Sequence, residues 1–330
     1  MQGYNIKIPE GIMESRENPL FGRKVFFICP SYIIEKYLLD KLRENEYEVY
    51  VIKEYRKAKN VLAKFPDAMC FINIDEELSY SEWYNFIKSF QNRDVLKSIY
   101  IGILTENAGW EDKDKFLMNA TLPGGFNRFE KTEKFTNNFM AILDLNGAKG
   151  RRKYLRIDTR GAGDVSGYMT SAGKLYTISF KDLSSAGFAI TYKQELTPLF
   201  QKNTLIRNLC LSVGRKSMVC SCIIFNTQVN PDGTAMSVLM LTNENPEETR
   251  TYIRNYIFEK FNRQMDALIQ AVDKDIASYS QTDEYSKLVA VRDRDYGELE
   301  ALDELDDSLD SPSESQPHSG YTGNLDDDIL

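Results

Sequence analysis

Three arginines fall within six residues at Arg151-Arg152-Lys153-Tyr154-Leu155-Arg156, directly after the glycine-bearing stretch 146–150 (NGAKG). A guanidinium can grip a phosphate through two parallel N–H donors, bond the O6 and N7 edge of guanine in the same way, and stack on a purine face. Twenty-five residues separate Arg156 from a second group, Asp182-Leu183-Ser184-Ser185-Ala186-Gly187. It offers an accepting carboxylate, hydroxyls that donate or accept, and a glycine that lets backbone come close. Taken singly, each half reads as readily as a basic loop before a strand and as a β-turn.

The remaining composition excludes much other chemistry. The one histidine, His318, lies between Pro317 and Ser319 in a polar, acidic tail, so no imidazole is expected inside a fold to act as general base, triad member or metal ligand. Cys29, Cys70, Cys210, Cys220 and Cys222 are odd in number and mostly sit in apolar runs, which reads as reduced core residues of a cytoplasmic protein. No cofactor or metal is expected. The formal charge of −8 divides unevenly. Residues 295–330 hold 12 acids and no Lys or Arg, whereas residues 151–244 hold 12 basic and 6 acidic side chains. The middle of the chain is therefore the candidate anion binder. No stretch has the length or apolarity of a signal peptide or a membrane span.

With 330 residues, at roughly 100 to 200 per domain, two domains are expected. Apolar runs at 24–29, 47–52, 68–74 and 98–104, with a weaker one at 125–129, alternate with the helical patterns 33–42, 81–90 and 135–145. Continuous apolar strands separated by helices imply a parallel sheet covered on both faces, the size of a flavodoxin-like or receiver domain. Receiver phosphorylation is not expected: Cys29, Pro30 and Ser31 follow the first strand where metal-binding acids would be needed, and Asn73 and Asp75 fit the acceptor position poorly. From Tyr154 the texture changes to short alternating strands, at 168–169, 175–180, 188–192, 205–213, 217–225 and 235–241, broken by turn residues. That pattern implies a small β-barrel or sandwich. A long helix should follow over 245–276, with Asn245 as N-cap and Glu248 completing a capping box. Its stripe of Ile253, Ile257, Phe261, Met265, Leu268, Val272 and Ile276 is longer than a small barrel covers, so its second half is a candidate for pairing with another subunit.

The arginine group and the Asp182–Gly187 group, in this order and spacing, read RRxxxR and DxSxxG and resemble the PilZ domain, the bacterial receptor for cyclic di-GMP. The short strands around both motifs and the helical stretch 252–258 (YIRNYIF) agree, and the resemblance covers about residues 150–265. RxxxR alone carries nothing, since it also occurs at Arg156/Arg160 and Arg250/Arg254; the DxSxxG partner makes the pair specific. The resemblance implies a receptor rather than an enzyme, with ligand contacts at Arg152, Arg156, Asp182, Ser184 and Gly187. It also implies a basic residue at Arg151 that accompanies binding of a stacked ligand pair. Asp158 and Arg160 stand either as supporting partners of Arg156 or as a solvated strand face.

The expected organisation is a polar lead-in at 1–22, a receiver-like α/β domain at 23–146, and a linker with the arginine arm at 147–156. A six-stranded PilZ barrel with closing helix then occupies 151–265, a helical extension 266–290 and a disordered acidic tail 291–330. The expected partners are cyclic di-GMP and a protein effector, with motility as the output that the resemblance suggests. No membrane insertion or nucleic-acid partner is expected, and the chain reads as a monomer or a helix-mediated homodimer. Two rival readings are a PilZ-shaped adaptor that binds no cyclic di-GMP and a single-stranded nucleic-acid binder. The tyrosines at 154, 168, 176 and 192 do not make the stacking platform that the latter needs.

Overall fold

A computed structural model describes residues 21–277 and Tyr279; most of the lead-in, His318 and the acidic tail lie outside the described residues. The apolar runs of the N-terminal half form β1 (Val25–Ile28), β2 (Val49–Ile52), β3 (Met69–Asn73), β4 (Tyr100–Thr105) and β5 (Phe126–Arg128). They pair parallel in the order β2-β1-β3-β4-β5, the doubly wound order of flavodoxin-like sheets. Every residue of β1 and β3 is buried, as strands covered on both faces require.

The first crossover is one helical stretch made of α1 (Tyr32–Ile34), a π-helical segment (Glu35–Leu39) and α2 (Asp40–Glu44). Then come α3 (Tyr55–Leu62), α4 (Tyr80–Lys88, opened by a Ser79/Glu82 capping box), α5 (Trp110–Asn119) and α6 (Glu133–Leu145). The helix α3 escapes periodicity because its buried face, Ala58, Lys59, Val61 and Leu62, includes a lysine. That lysine is neutralised from the far end of the chain, which no local pattern displays.

The second half forms β6 (Arg156–Asp158), β7 (Val165–Ser171), β8 (Lys174–Ser184), β9 (Gly187–Lys193), β10 (Leu205–Val213), β11 (Lys216–Val229) and β12 (Thr234–Leu241). Six of these close an antiparallel barrel, β8-β7-β10-β11-β12-β9, completed by the β8–β9 pairing, while β6 adds to the outer side of β8. The core alternates inward along each strand, and Phe180, Phe188, Leu209, Leu211, Cys220 and Cys222 are buried together. All five cysteines are free, four of them buried.

The closing helix α7 (Glu247–Ala271) corrects two expectations. Pro246, not Asn245, is the N-cap, and no side chain caps it. The Asn245 amide instead clamps the barrel: its Oδ1 accepts from the Ser221 amide at 2.8 Å and its Nδ2 donates to the Ser221 carbonyl at 2.7 Å. A long-range pair of bonds thus outcompetes the local cap.

Much of the apolar stripe of α7 is also covered within the chain. Ile253, Tyr256 and Ile257 join the barrel core, each large buried side chain being worth about 1.5–3 kcal/mol. Phe261, further along, sets its ring tilted at 56° with its centroid 6.4 Å from that of Tyr50 of β2, and Lys57 of α3 donates to the Ile269 carbonyl at 3.0 Å. Phe261, which opens the second half of the stripe, therefore meets the chain's own α/β domain, where that half was a candidate for pairing with another subunit.

Helix ends at Ala271, and the segment beyond it lies along α3 rather than continuing as the expected helix, which leaves Ile276 exposed. The Asp275 amide donates to the Arg56 carbonyl at 2.6 Å and Asn60 Nδ2 to the Asp273 carbonyl at 2.7 Å. The Asp275 carboxylate pairs with the Lys59 ammonium, both buried, and accepts from the Tyr279 hydroxyl at 3.0 Å. Burial opposes ionisation of Asp275, but the Lys59 hydrogen bond and charge outweigh it and hold the carboxyl below its usual range. No described helix is long and apolar enough to cross a membrane.

Replacing Asp275→Ala leaves the Lys59 ammonium buried without its counter-charge, so urea unfolding followed by tryptophan fluorescence should show a loss of about 3 kcal/mol. Most of it should return in the Lys59→Met/Asp275→Ala double variant. Because the Asp275 carboxyl is depressed, its contribution is present above about pH 4 and fades as pH falls below that.

Candidate functional site

Antiparallel register builds the site. The short strand β6 pairs with the end of β8 so that Arg156 stands opposite Ser184, Ile157 opposite Leu183, and Asp158 opposite Asp182. Ile157 and Leu183 turn inward, which leaves Arg156, Asp158, Asp182 and Ser184 in the alternate row. The arginine reaches diagonally, its Nη1 lying 3.8 Å from Asp182 Oδ1. Its guanidinium donates no hydrogen bond among the described residues, and its Nε is buried without a partner. Buried donors are rarely left so, and an unsatisfied charged donor is costly.

Asp158 and Asp182 place like charges directly opposite one another. Each has its own cation. The strand stops at Asp158, so Arg160 does not continue the row but folds back, donating from Nε to both Asp158 oxygens at 3.0 Å and from its backbone amide at 2.9 Å. That hydrogen bonding, helped by the nearby charge of Lys181, keeps the Asp158 carboxyl below its usual range despite some burial.

Ser184 and Gly187 serve the hairpin that carries the motif. Ser184 is buried, and its hydroxyl donates to the Gly187 carbonyl at 2.9 Å across the turn. A Cβ on Gly187 would lie 2.1 Å from the Leu239 carbonyl oxygen. Glycine is required there because β9 approaches the backbone of β12 where the barrel closes. Asp182 is thus the part-exposed polar group of this motif, while Ser184 and Gly187 shape the turn.

The arm leads away from this cluster toward the α/β domain. Arg151 is exposed. Arg152 sets its guanidinium over the Phe21 ring, 4.6 Å from the centroid, in a small cleft that Glu46, Glu48, Lys149 and Tyr154 also line. The amide of Leu155 donates to Glu46 Oε2 at 3.1 Å.

Glu46 and Ser185 were not legible as site residues. Ser185 is buried in the DxSxxG turn and donates to Glu46 Oε1 at 2.6 Å, and Arg254 of α7 donates to the same oxygen at 2.9 Å. Glu46 sits at the turn after α2 with φ +63°, a left-handed position where glycine is usual. A charged residue in that slot was the one available signal. Asn73 and Asp75 of the α/β domain are engaged locally: Asn73 Nδ2 donates to the Cys29 carbonyl at 2.9 Å, and Asp75 accepts from the Thr105 hydroxyl and the Glu106 amide, both at 2.6 Å.

No family model matches the chain, and no curated protein does. Solved structures do match. They include the MrkH–c-di-GMP complex of K. pneumonia, 19% identical over 37% of this chain and 54% of that one, with a TM-score of 0.29. YcgR of Escherichia coli in complex with c-di-GMP is 14% identical over 38% of this chain and 52% of that one, with a TM-score of 0.31. The isolated PilZ domain of YcgR with c-di-GMP is 14% identical over 37% of this chain and 99% of that one, with a TM-score of 0.30. The chain spans about half the length of the MrkH and full YcgR chains that it matches.

The structural parts assigned to Gly187 and Ser184 are separable by thermal unfolding. Gly187→Ala should destabilise by about 2 kcal/mol through overpacking against β12. Ser184→Ala should cost about 1 kcal/mol, the worth of one hydrogen bond.

Proposed function

We propose that residues 151–265 form a PilZ domain that binds cyclic di-GMP, and that the chain is a receptor which passes occupancy to a protein partner through its α/β domain at 23–146. The observation that carries this reading is Arg156: a guanidinium held by strand register beside Asp182, with a buried Nε and no hydrogen bond of its own. Cyclic di-GMP offers what that arrangement lacks, two permanently ionised phosphodiesters and two guanines.

The roles follow from chemistry. Arg156 suits a phosphate or the O6/N7 edge of a guanine. Asp182 suits the N1 and N2 hydrogens of a base, because an ionised carboxylate only accepts. Arg152 already uses its guanidinium face on an aromatic ring and suits a purine in the same manner. Arg151, exposed at the head of the arm, suits the phosphates of a second, stacked ligand. Ser184 and Gly187 act by holding the hairpin, and Asp158 with Arg160 forms a self-neutralised pair that keeps the second carboxylate from repelling an anion. Binding of this kind breaks no covalent bond and draws on no metal or cofactor, so the chain is read as a receptor and not an enzyme.

The arm is also the linker between the two domains. A ligand that reorders residues 151–156 therefore acts on the joint itself, and selects one interdomain arrangement through its differential affinity. The resemblance points the output toward motility.

Calorimetric titration of cyclic di-GMP tests this reading, with GTP and single-stranded RNA as controls. The wild type should bind saturably, and Arg152→Ala/Arg156→Ala should lose several kcal/mol, at about 1.5–3 for each hydrogen bond to a charged group. A molar ratio of two ligands per chain would support the role given to Arg151. A folded wild type that gives no heat at high micromolar ligand would overturn the receptor reading in favour of an adaptor.

A further inference from the structure

Glu46 belongs to the α/β domain, yet its carboxylate is spent entirely on the other half of the chain. It accepts from the Leu155 amide in the arm, from the Ser185 hydroxyl in the DxSxxG turn, and from Arg254 in the closing helix. Its side chain is only 7% exposed, and its backbone is held in the left-handed region. A glycine there would be conformationally easier and would make none of these bonds. The three donors come from the elements that the receptor reading makes the ligand arm, the ligand turn and the barrel's cover.

Arg152 and Arg156 of the arm point to different partners in this arrangement. Arg156 is fixed by β6 beside Asp182, while Arg152 stacks on Phe21 in the cleft that Glu46 and Glu48 line. Leu155, whose amide Glu46 holds, lies between them. A ligand that recruited Arg152 from Phe21 toward Arg156 would turn the intervening backbone, which carries the Leu155 amide held by Glu46.

We propose that Glu46 is a latch: it holds the arginine arm toward the α/β domain, and cyclic di-GMP, by recruiting Arg152 toward Arg156, breaks that hold. This inference rests on the receptor reading above and adds a named residue through which occupancy reaches the α/β domain. Once the Leu155 bond is lost, the carboxylate retains only Ser185 and Arg254, and the arm is joined to the α/β domain through the covalent chain alone. Ligand affinity is correspondingly reduced by the free energy of the latch, because a ligand that needs one of two arrangements gains affinity when the other is destabilised. Glu46 is thus a positioning residue that touches the arm and not the ligand.

Removing the latch should strengthen binding, an outcome that a merely structural role does not produce. Glu46→Gly suits the left-handed position and deletes the carboxylate; Phe21→Ala removes the ring beneath Arg152, weakening its seat by an independent route that leaves Glu46 intact. Calorimetry on the full chain should give cyclic di-GMP affinities about tenfold tighter for Glu46→Gly, the equivalent of one charged hydrogen bond no longer broken, with a smaller gain for Phe21→Ala. Small-angle scattering should show a ligand-dependent change in the wild type that Glu46→Gly lacks. Equal or weaker binding by both variants, with wild-type binding intact, would overturn the latch. No binding by folded wild type would instead overturn the receptor reading on which it rests.

Discussion

Antiparallel pairing of β6 with the last three residues of β8 puts Arg156 against Ser184 and within reach of Asp182, and the rest of the candidate site is measured from that register. A shift of one residue would turn Arg156 inward and bring Ile157 to the surface. The inward side chains prevent it. Ile157 and Leu183 belong to the barrel core, so the same apolar burial that closes the barrel also aims the arginine outward. Gly187 completes the constraint, since only a residue without Cβ lets the returning strand β9 lie against β12 at the turn.

The chain around α7 is tied to the α/β domain near both of its ends. Near the start of α7, Arg254 meets Glu46; past its end, the segment with Asp275 and Tyr279 lies on α3 and α4. Between them the helix divides its apolar stripe, with Ile253 and Ile257 in the barrel and Phe261 against β2. The buried Lys59–Asp275 pair is weak as a source of net stability, because desolvating two charges offsets much of their attraction. Its effect is on specificity of docking: a buried ammonium admits one neighbouring arrangement that supplies a carboxylate and excludes those that do not.

Coupling follows from economy of parts. Residues 151–156 carry the arginines proposed to bind ligand, form the covalent joint between domains, and donate the Leu155 amide to Glu46. A group bound by Arg152 and Arg156 cannot be indifferent to the joint, because the same backbone serves both. The exposed end of the arm and the buried carboxylate that holds its middle differ in solvation, so the coupling proposed at Glu46 sits where water competes least.

Much of this architecture is legible in residue order alone. Fully apolar runs such as those ending in β1 and β3 require a doubly covered sheet, alternation along β10 and β12 requires a two-faced barrel wall, and a motif pair with fixed spacing names the arm and the hairpin. These are properties of periods and near neighbours. Tertiary structure alone decided that Asn245 clamps Ser221 instead of capping α7, that Phe261 meets Tyr50, and that Arg160 turns back on Asp158. It also brought Glu46 to Leu155, Ser185 and Arg254, residues 109, 139 and 208 positions away. Hydrogen bonds and ion pairs depend on a few ångströms of separation that sequence distance does not encode, so the periodic order of the chain names the elements and the arm, while the partners of its buried charges exist only once both domains have folded against each other.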